Sequence, residues 1–469
     1  MNSKHNIVTR FAPSPTGFLH IGGIRTALYN FLFAKKNHGK YLLRIEDTDR
    51  KRSTDDAVKA IVDGLEWVGL SPDEEPIFQH KNQKRHIEVA NKLIEDGHAY
   101  KCWDNEDEIL RQKNEATKNR KTFKFQSSWR NKDSFKEPNT PFVIRFKTPE
   151  EGNVIIDDEV QGNISFPIDN FDDLILLRSD GSPTYMLSVV VDDHDMGITH
   201  VIRGDDHLMN APKQKLLYEA LNWNIPSFSH IPLIHGEDGS KMSKRHGALG
   251  IDHYQESGFL AHAIINYLLR LGWSHGDQEI FTKDEMIDLF SLKKIRKSSS
   301  RFDLKKLEDI NSHYIREMNE KDLINKIGKD LINLPKDKLN GLKMLLPEIV
   351  KRSKTINDLK ENSDFIINDV PLNLSGEAQE VLTKKSIAML KKLKNQLESL
   401  KRWDISEIKK IIENFSNDEN LNLREVLLPL RAAITGRLSS IGIYDVLYYL
   451  NKEHSLKRID EAVGNVRKE

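Results

Sequence analysis

The chain has 469 residues, 38% of them hydrophobic and 30% charged, and its 71 Lys and Arg side chains are balanced by 71 Asp and Glu. At roughly 150 residues per domain this length predicts about three domains, while the composition excludes a wholly disordered chain and no apolar run approaches the roughly 18 residues of a membrane span. The N-terminal residues lack the features of a signal or transit peptide, and the single cysteine, Cys102, excludes an intrachain disulfide and a zinc site built on several thiolates, which together indicate a reducing cytoplasm.

The first 70 residues alternate strand and helix signals. Residues 7–11 are β-branched and run into two prolines, which predicts a strand that enters a loop. Apolar residues at helical or strand spacing then predict a helix over 24–36, a strand over 41–45 and a helix over 58–68. This alternation predicts an α/β domain with a parallel sheet.

The alternation loosens after about residue 80. A helix is predicted over 87–97, another helix opens at Asn210, and strands are predicted at 141–146, 188–191, 200–202 and 231–234. This order predicts that an insertion interrupts the α/β domain. From about residue 256 strand signals nearly vanish, and a stripe of Ile and Leu over 387–400 with a capping pattern at Asp404 predicts a helical C-terminal third.

Two loops have the composition of phosphate-binding sites. The first, FAPSPTGFLHIGG, lies between the first strand and helix, where backbone N–H groups are free, Gly22 and Gly23 permit close approach, and His20 can donate to a phosphate oxygen. The second, GSKMSKRHG over 239–247, offers cationic side chains that can neutralise phosphate charge. Each loop alone also fits a plainer interpretation, a capped Pro/Gly loop and a solvated basic loop.

Together the two loops resemble the HIGH and KMSKS motifs of class I aminoacyl-tRNA synthetases, here His20-Ile-Gly-Gly23 and Lys241-Met-Ser-Lys-Arg245, with glycine in place of the final histidine of HIGH. Further segments resemble bacterial glutamyl-tRNA synthetases, namely LLRIEDTDR, PTYMLSVVVDDHDMGITHVIRGDDH and LPLRAAITGR. The resemblance implies an α/β, Rossmann-like parallel-sheet catalytic domain split by an α+β insertion and followed by an all-helical anticodon-binding region. It implies these boundaries: 1–80 and 189–255 for the two catalytic halves, 81–188 for the acceptor-binding insertion, 256–322 for a stem-contact domain and 323–469 for the anticodon-binding domain.

The resemblance implies that Mg-ATP activates glutamate as glutamyl-adenylate, which then reacts with a tRNA hydroxyl. His20 and Lys244, assisted by Lys241, are expected to stabilise the pentacovalent phosphate and the departing pyrophosphate. Gly22, Gly23 and Asp206 complete the expected ATP site.

For glutamate, the family's pattern places Arg10 on the γ-carboxylate, since a planar guanidinium binds a carboxylate bidentately. The other expected glutamate-binding residues are Ala12, Ser14, Glu46 for the α-amino group, Tyr185 and Arg203. Arg10 and Glu46 also fit ordinary ion pairs. A cluster of Asp and His over 192–195 and 205–207 lacks regular ligand spacing, so no protein-bound metal is expected there.

Relatives often carry a zinc knuckle in the insertion. Here Cys102 remains, Asp104 stands where the second cysteine would be, and the second ligand pair is missing around 123–128. One thiol cannot build such a site, so no zinc is expected.

The balanced total charge by itself argues against a polyanionic partner, but the charge is unevenly distributed. Residues 111–132 contain eight Lys or Arg against Glu115, with aromatic residues between them, and 291–306 contain seven against Asp303. Cations bind phosphates and aromatic rings stack on unpaired bases, so both segments are expected to contact tRNA, although solvated basic segments have the same composition. The expected contacts are Lys121, Lys124, Trp129, Arg130, Lys293, Lys294, Arg296, Lys297 and Arg301.

Three alternatives remain from the sequence. The enzyme could also or mainly glutamylate tRNA(Gln), or have glutaminyl specificity. The chain could instead be an inactive paralogue that binds tRNA, or a nucleotidyltransferase, which would leave the helical third unexplained. The family implies a monomer.

Overall fold

A computed structural model describes residues 6–15, 17–49, 52–118, 124–125, 127–132, 137–240, 242, 250–328, 331, 334–368, 372–438 and 441–465. The chain forms two compact units: Met1–Tyr254 with Ile264–Leu304, and Gln255–Ala263 with Lys305–Glu469. Within the described ranges, no helix combines the length and apolar character that crossing a membrane requires.

The first unit is built on β-strands, which are numbered here in chain order: β1 Val8–Phe11, β2 Lys40–Ile45, β3 Ile77–Phe78, β4 Ala99–Cys102, β5 Val143–Phe146, β6 Asn153–Asp158, β7 Gly162–Pro167, β8 Ile175–Leu177, β9 His200–Gly204, β10 Ser227–Ile231, β11 Ile234–His235 and β12 Ser300–Arg301. The main sheet has the order β3-β2-β1-β9-β10-β6-β7, and every neighbouring pair is parallel except β6 and β7. The first unit also contains an antiparallel sheet, β4-β5-β8, and a parallel pair of strands, β11-β12. The predicted fold class, a parallel-sheet α/β domain with an α+β insertion, is confirmed.

The helices up to residue 300 are α1 Ile21–Lys36, α2 Asp55–Trp67, α3 Gln83–Glu95, α4 Glu106–Lys118, α5 Tyr185–Asp195, α6 Ala211–Ala220, α7 Ile251–Glu256, α8 Ala261–Arg270 and α9 Lys283–Leu289. Those that follow are α10 Leu304–Arg316, α11 Glu320–Ile327, α12 Lys336–Arg352, α13 Ile356–Ile367, α14 Gly376–Val381, α15 Lys384–Glu398, α16 Ile405–Asp418, α17 Leu423–Thr435 and α18 Ile443–Asn465. The predicted helical C-terminal third is confirmed.

Local sequence explains several of these elements. Strand β2 is buried along nearly its whole length, as expected for a strand covered on both faces of a parallel sheet. Helix α15 buries Ile387, Leu390, Leu393 and Leu397 of the predicted apolar stripe and ends before Leu400. The Asp404 side chain accepts the Glu407 N–H at the start of α16.

One predicted strand is wrong and a second is wrong in part. The run 188–191 was predicted as a strand because it is short, apolar and β-branched, but it lies inside helix α5. Residues 187–193 are all buried, so the packing around the helix outweighs the β propensity of three consecutive valines. The predicted strand 231–234 is split into the end of β10 and the start of β11, since Pro232 cannot donate to a ladder.

The topology locates a cleft. From β1 the chain proceeds to β2 and β3 on one side, whereas β9 and β10 extend the sheet on the other side. Such a change of direction opens a crevice at the carboxyl ends of the central strands, where α/β proteins bind their ligands. In this sheet the crevice lies between β1 and β9.

Candidate active site

Charged side chains gather at the carboxyl ends of the central parallel strands. Arg10 lies on β1, Arg44 and Glu46 lie at the end of β2, and Arg203 lies on β9. The loop after β1 is fixed beside β2, because the Glu46 N–H donates to Pro13 O at 2.9 Å. Ala12 in this loop is half-buried and Ser14 is exposed.

A buried carboxylate joins two of these guanidinium groups. Arg10 Nε and Nη2 donate to the two oxygens of Asp193 at 2.9 and 3.2 Å, and Arg44 Nη1 donates to Asp193 Oδ1. Arg44 Nη2 also donates to Glu46 Oε1 at 3.1 Å. Arg10 and Glu46 are therefore linked through Arg44 and Asp193, the latter in the last turn of α5.

A second chain of hydrogen bonds contains Arg203. Its Nε donates to His230 Nε2 at 3.0 Å, and His230 Nδ1 lies 2.6 Å from Asp158 Oδ2. Arg203 Nη2 donates to His207 O at 3.4 Å, and the Tyr185 hydroxyl lies 3.1 Å from His207 Nδ1. Tyr185 opens helix α5, so this one helix supplies both Tyr185 and Asp193.

Burial and charge perturb the pKa values of these groups. Burial raises the pKa of Glu46 despite the opposing charges of Arg44 and Arg10. Burial would also raise the pKa of Asp193, but Arg10 and Arg44 hold it below the ordinary value. Burial, supported by the charge of Arg203, lowers the pKa of His207 to about 4, so this ring is neutral at pH 7. The site therefore keeps an ionised Asp193 and a neutral His207.

His20 caps helix α1. Its Nδ1 accepts the Gly23 N–H at 3.1 Å, which places the proton of a neutral ring on Nε2 and makes that nitrogen a donor. A Cβ at Gly22 would lie 3.1 Å from the His20 ring, and one at Gly23 would lie 3.1 Å from Leu19 Cδ1. Gly22 therefore leaves room for the imidazole in its capping position, and Gly23 leaves room for the Leu19 side chain.

The lysine-rich loop lies largely outside the described residues, and Lys241 and Lys244 are among those left out. Its described flanks are anchored to the first unit: the Met242 N–H donates to Ile234 O at 3.2 Å, and Gly250 pairs with His20 in an isolated bridge. Asp206 lies in a short 3-10 helix after β9 and is exposed, with its carboxylate close to Gly204.

The first basic segment is partly described, and Lys121 lies outside the described residues. Lys124 Nζ lies 3.6 Å from Asp169 Oδ1, and Arg130 is paired with Asp173 and donates to Thr148 O at 2.6 Å. The Trp129 ring lies 5.0 Å from that of Trp103. Arg130 is thus bound within the unit, while Trp129 belongs to an aromatic cluster.

The second basic segment is described throughout. Lys293, Arg296 and Arg301 are exposed. Lys294 Nζ lies 2.9 Å from His275 Nδ1, and Lys297 Nζ donates to Gln161 O at 2.9 Å. Most of this segment faces solvent, as a polyanion-binding surface requires.

The Cys102 thiol is joined to polar side chains. Its Sγ lies 3.4 Å from Asp104 Oδ2 and 3.5 Å from Ser127 Oγ, and the Ser127 hydroxyl donates to Asp104. Among the residues that the structure describes, no group of three or more His, Cys, Asp or Glu could hold a metal ion.

Asp193 and His230 bind the candidate arginines and Asp158 binds His230, although none of the three was predicted to do so. The Asp cluster at 192–195 was considered only as a set of metal ligands. Because 188–191 was predicted as a strand, Asp193 was not expected to follow Tyr185 by about two turns of one helix. Asp158 and His230 lie on β6 and β10, and only the sheet order brings these two strands together.

Comparison with known proteins gives consistent matches. Residues 6–309 match the family model described as tRNA synthetases class I (E and Q), catalytic domain, and residues 305–463 match an anticodon binding domain. A glutamate–tRNA ligase of Afipia carboxidovorans is 48% identical over 98% of this chain and 99% of its own length. One of a Bradyrhizobium species is 48% identical over 99% of both chains. The crystal structure of a glutamate tRNA ligase from Elizabethkingia meningosepticum in complex with its amino acid has a TM-score of 0.80 and 30% identity, covering 98% of this chain and 99% of that one.

Proposed function

The chain belongs to the family of class I tRNA synthetases for glutamate and glutamine, and on that premise we propose that it is a glutamate–tRNA ligase that uses ATP to join L-glutamate to tRNA(Glu). The observation that carries this proposal is that two buried arginines lie at one edge of the sheet, beside the His20 loop. Arg10 is hydrogen-bonded to Asp193, and Arg203 is hydrogen-bonded to His230. Buried arginines beside an anion-binding helix terminus suit a dicarboxylic amino acid that reacts with a nucleotide.

In the proposed complex Arg10 binds the γ-carboxylate of glutamate and Arg203 makes a second contact with the substrate. Glu46 binds the α-amino group with Ala12 and Ser14, and Tyr185 closes the same pocket. The support is that these side chains lie close enough to interact. Burial raises the pKa of Tyr185, and the charges of Glu46, Arg203 and Arg10 also act on that pKa.

Activation proceeds by displacement at phosphorus. A glutamate α-carboxylate oxygen attacks the α-phosphorus of ATP, a new P–O bond forms, and the bond to pyrophosphate breaks. His20, Lys241 and Lys244 stabilise the charge that develops, with Gly22, Gly23 and Asp206 lining the nucleotide site and Mg²⁺ arriving with ATP as part of the substrate. A tRNA terminal hydroxyl then attacks the activated carbonyl, the ester forms, and AMP leaves. The chain has to align these groups, and no protein nucleophile is needed.

The proposed tRNA surface follows the domain boundaries predicted from the sequence. Residues 81–188 bind the acceptor end, between the catalytic segments 1–80 and 189–255. Residues 256–322 contact the stem and 323–469 the anticodon. The proposed contacts are Lys121, Lys124, Trp129, Arg130, Lys293, Lys294, Arg296, Lys297 and Arg301. We also assign the enzyme to the cytoplasm, as a monomer, without protein-bound zinc.

A charging assay tests the proposal. Purified protein is incubated with ATP, Mg²⁺ and labelled glutamate or glutamine, together with tRNA(Glu) or tRNA(Gln) in separate reactions. We expect glutamylation of tRNA(Glu); glutamylation of tRNA(Gln) as well would identify a non-discriminating enzyme. Tight tRNA binding with no charging of either tRNA would identify an inactive paralogue.

The Lys244→Ala variant tests the chemistry. Removing one group that stabilises the transition state typically lowers the rate roughly 100- to 1000-fold. ATP–pyrophosphate exchange, measured with tRNA present, is expected to fall by about that factor while the circular dichroism spectrum is unchanged. Exchange close to the wild-type rate would contradict the role assigned to Lys244.

A further inference from the structure

Arg203 is buried and held at two of its three guanidinium nitrogens. Its Nε donates to His230 Nε2 at 3.0 Å and its Nη2 to His207 O at 3.4 Å. Within the part of the chain that the structure describes, its Nη1 is buried and has no hydrogen-bond partner, and the residue is only 6% exposed. Because an unpaired buried donor is costly, this nitrogen calls for an acceptor supplied by a ligand.

The tautomer of His230 decides whether Arg203 can be held in this way. His230 Nδ1 lies 2.6 Å from Asp158 Oδ2, and a carboxylate can only accept. The ring proton is therefore on Nδ1, and the lone pair of Nε2 faces Arg203. The opposite tautomer would set an N–H of His230 against the N–H of Arg203.

Asp158 itself is fixed in place by backbone groups. Its carboxylate accepts the N–H groups of His230, Val160 and Gln161 at 2.8 to 3.2 Å, and the Gln161 side chain donates to His230 O at 2.9 Å. Asp158 and His230 are 2% and 0% exposed, respectively. The carboxylate thus keeps donors even when the His230 side chain is changed.

We propose that Asp158 and His230 are positioning residues that fix the guanidinium of Arg203 so that Nη1 meets a carboxylate oxygen of the substrate. This inference rests on the proposed function, in which Arg203 contacts glutamate. Asp158 selects the His230 tautomer, His230 orients Arg203 through Nε, and neither residue touches the reacting atoms. The pair is expected to affect glutamate binding and to leave ATP binding nearly unchanged.

Asp158→Asn removes the charge and allows the wrong tautomer of His230. Since a hydrogen bond to a charged group is worth about tenfold to 100-fold in binding, the KM for glutamate is expected to rise by about that factor. The KM for ATP is expected to stay within about threefold. The matched control is Asp157→Asn, because Asp157 is the preceding residue of β6 and is exposed; its glutamate KM is expected to equal that of the wild type.

Two variants of His230 separate orientation from packing. His230→Gln can place an amide oxygen near the position of Nε2 and so accept from Arg203, whereas His230→Phe keeps the ring and removes the acceptor. We expect the glutamate KM to rise more in His230→Phe than in His230→Gln, at similar thermal stability. If Asp158→Asn does not fold, this comparison tests the proposal by itself.

Charging assays with tRNA(Glu) over a range of glutamate and ATP concentrations give every constant needed. A selective rise in the glutamate KM, partly rescued in His230→Gln, supports the inference. The inference alone is overturned if the wild-type enzyme is active but Asp158→Asn and His230→Phe keep the wild-type KM for glutamate. It is also overturned if these variants raise the KM for glutamate and the KM for ATP by the same factor. Wild-type enzyme that charges no tRNA overturns the proposed function and this inference with it.

Discussion

Replacing Asp193 by asparagine keeps the volume of the side chain and removes the charge to which two buried guanidinium groups are bound. Arg10 donates two hydrogen bonds to this carboxylate and Arg44 donates one. An asparagine oxygen at the position of Oδ1 can still accept from Arg10 Nε and Arg44 Nη1, but the amide nitrogen then sets its N–H groups against Arg10 Nη2. The Asp193→Asn variant therefore leaves a buried positive charge without its partner.

The structure sets the size of the effect. Removing one partner of a buried ion pair costs about 3–5 kcal/mol, and the lower end applies here because Arg44 keeps Glu46 at 3.1 Å. For a unit as large as the first one, a loss of about 1 kcal/mol in the free energy of unfolding lowers Tm by about 2 °C. A loss of about 3 kcal/mol in Asp193→Asn is therefore expected to lower Tm by about 6 °C. Arg10 also loses its orientation, and the KM for glutamate is expected to rise about tenfold or more.

Asp195→Asn is the control, since Asp195 lies two residues further along the same helix and pairs with Arg85 at the surface. A surface pair contributes at most about 1 kcal/mol, so its Tm should change by no more than about 2 °C. Thermal melts of both variants and the wild type at pH 7 provide the comparison. Equal decreases in Tm, or a glutamate KM unchanged in Asp193→Asn, would refute the reasoning.

The pH dependence of the same comparison has a definite sign. Because the pKa of Asp193 is lower in the folded chain than its ordinary value, its ionised form stabilises the fold fully above the ordinary pKa of about 4. That contribution is lost as the pH falls through the lower, folded-state pKa. The stability difference between the wild type and Asp193→Asn is expected to shrink below about pH 4, and to be constant from pH 5 to 7.

Three further outcomes are expected. Arg10→Gln should raise the KM for glutamate about 100-fold and leave the KM for ATP within about threefold, because only glutamate loses a charged partner. Similar changes in both constants would count against a glutamate site at Arg10. Gly250→Ala would place a Cβ 2.7 Å from Phe18 Cβ beside His20, so kcat should fall about tenfold or more. The control Gly376→Ala, whose Cβ would have no atom within 4 Å, should match the wild type, and an unchanged kcat in Gly250→Ala would show that the loop adapts. Treatment with a chelator followed by return of Mg²⁺ should restore full activity, with fewer than about 0.1 zinc ions per chain by elemental analysis; stoichiometric zinc would overturn the expectation drawn from Cys102.

The sequence predicted the fold class and the helical C-terminal third correctly because these depend on local pattern; the phosphate-binding role of the two loops stays a prediction. The alternation over the first 70 residues, the stripe on α15 and the cap at Asp404 are local signals, and the corresponding elements form where they were predicted. The strand assignment over 188–191 failed because three adjacent valines favour a strand locally. Packing on all sides of α5 reverses that preference.

The candidate glutamate residues could be named from motif resemblance, but their partners could not. Arg10 and Arg203 were assigned to substrate by the family's pattern, and nothing near them in the chain indicates that Asp193 and His230 hold them. Arg10 and Asp193 are 183 residues apart, and Asp158 and His230 are 72 residues apart. Contacts at such separations depend on strand order and helix orientation.

What the sequence by itself determined is therefore a set of candidates for the site: the loop with His20, the lysine-rich loop, the arginines on strands and the uneven distribution of 71 positive and 71 negative charges. The tertiary structure decided how these candidates are connected. The parallel sheet brings β9, β10 and β6 side by side, so that Asp158 orients His230 toward Arg203. Helix α5 supplies Asp193, which neutralises Arg10 on β1 and Arg44 on β2. The physical reason is that burial of a charge requires a partner, and only the folded chain brings distant residues close enough to provide one.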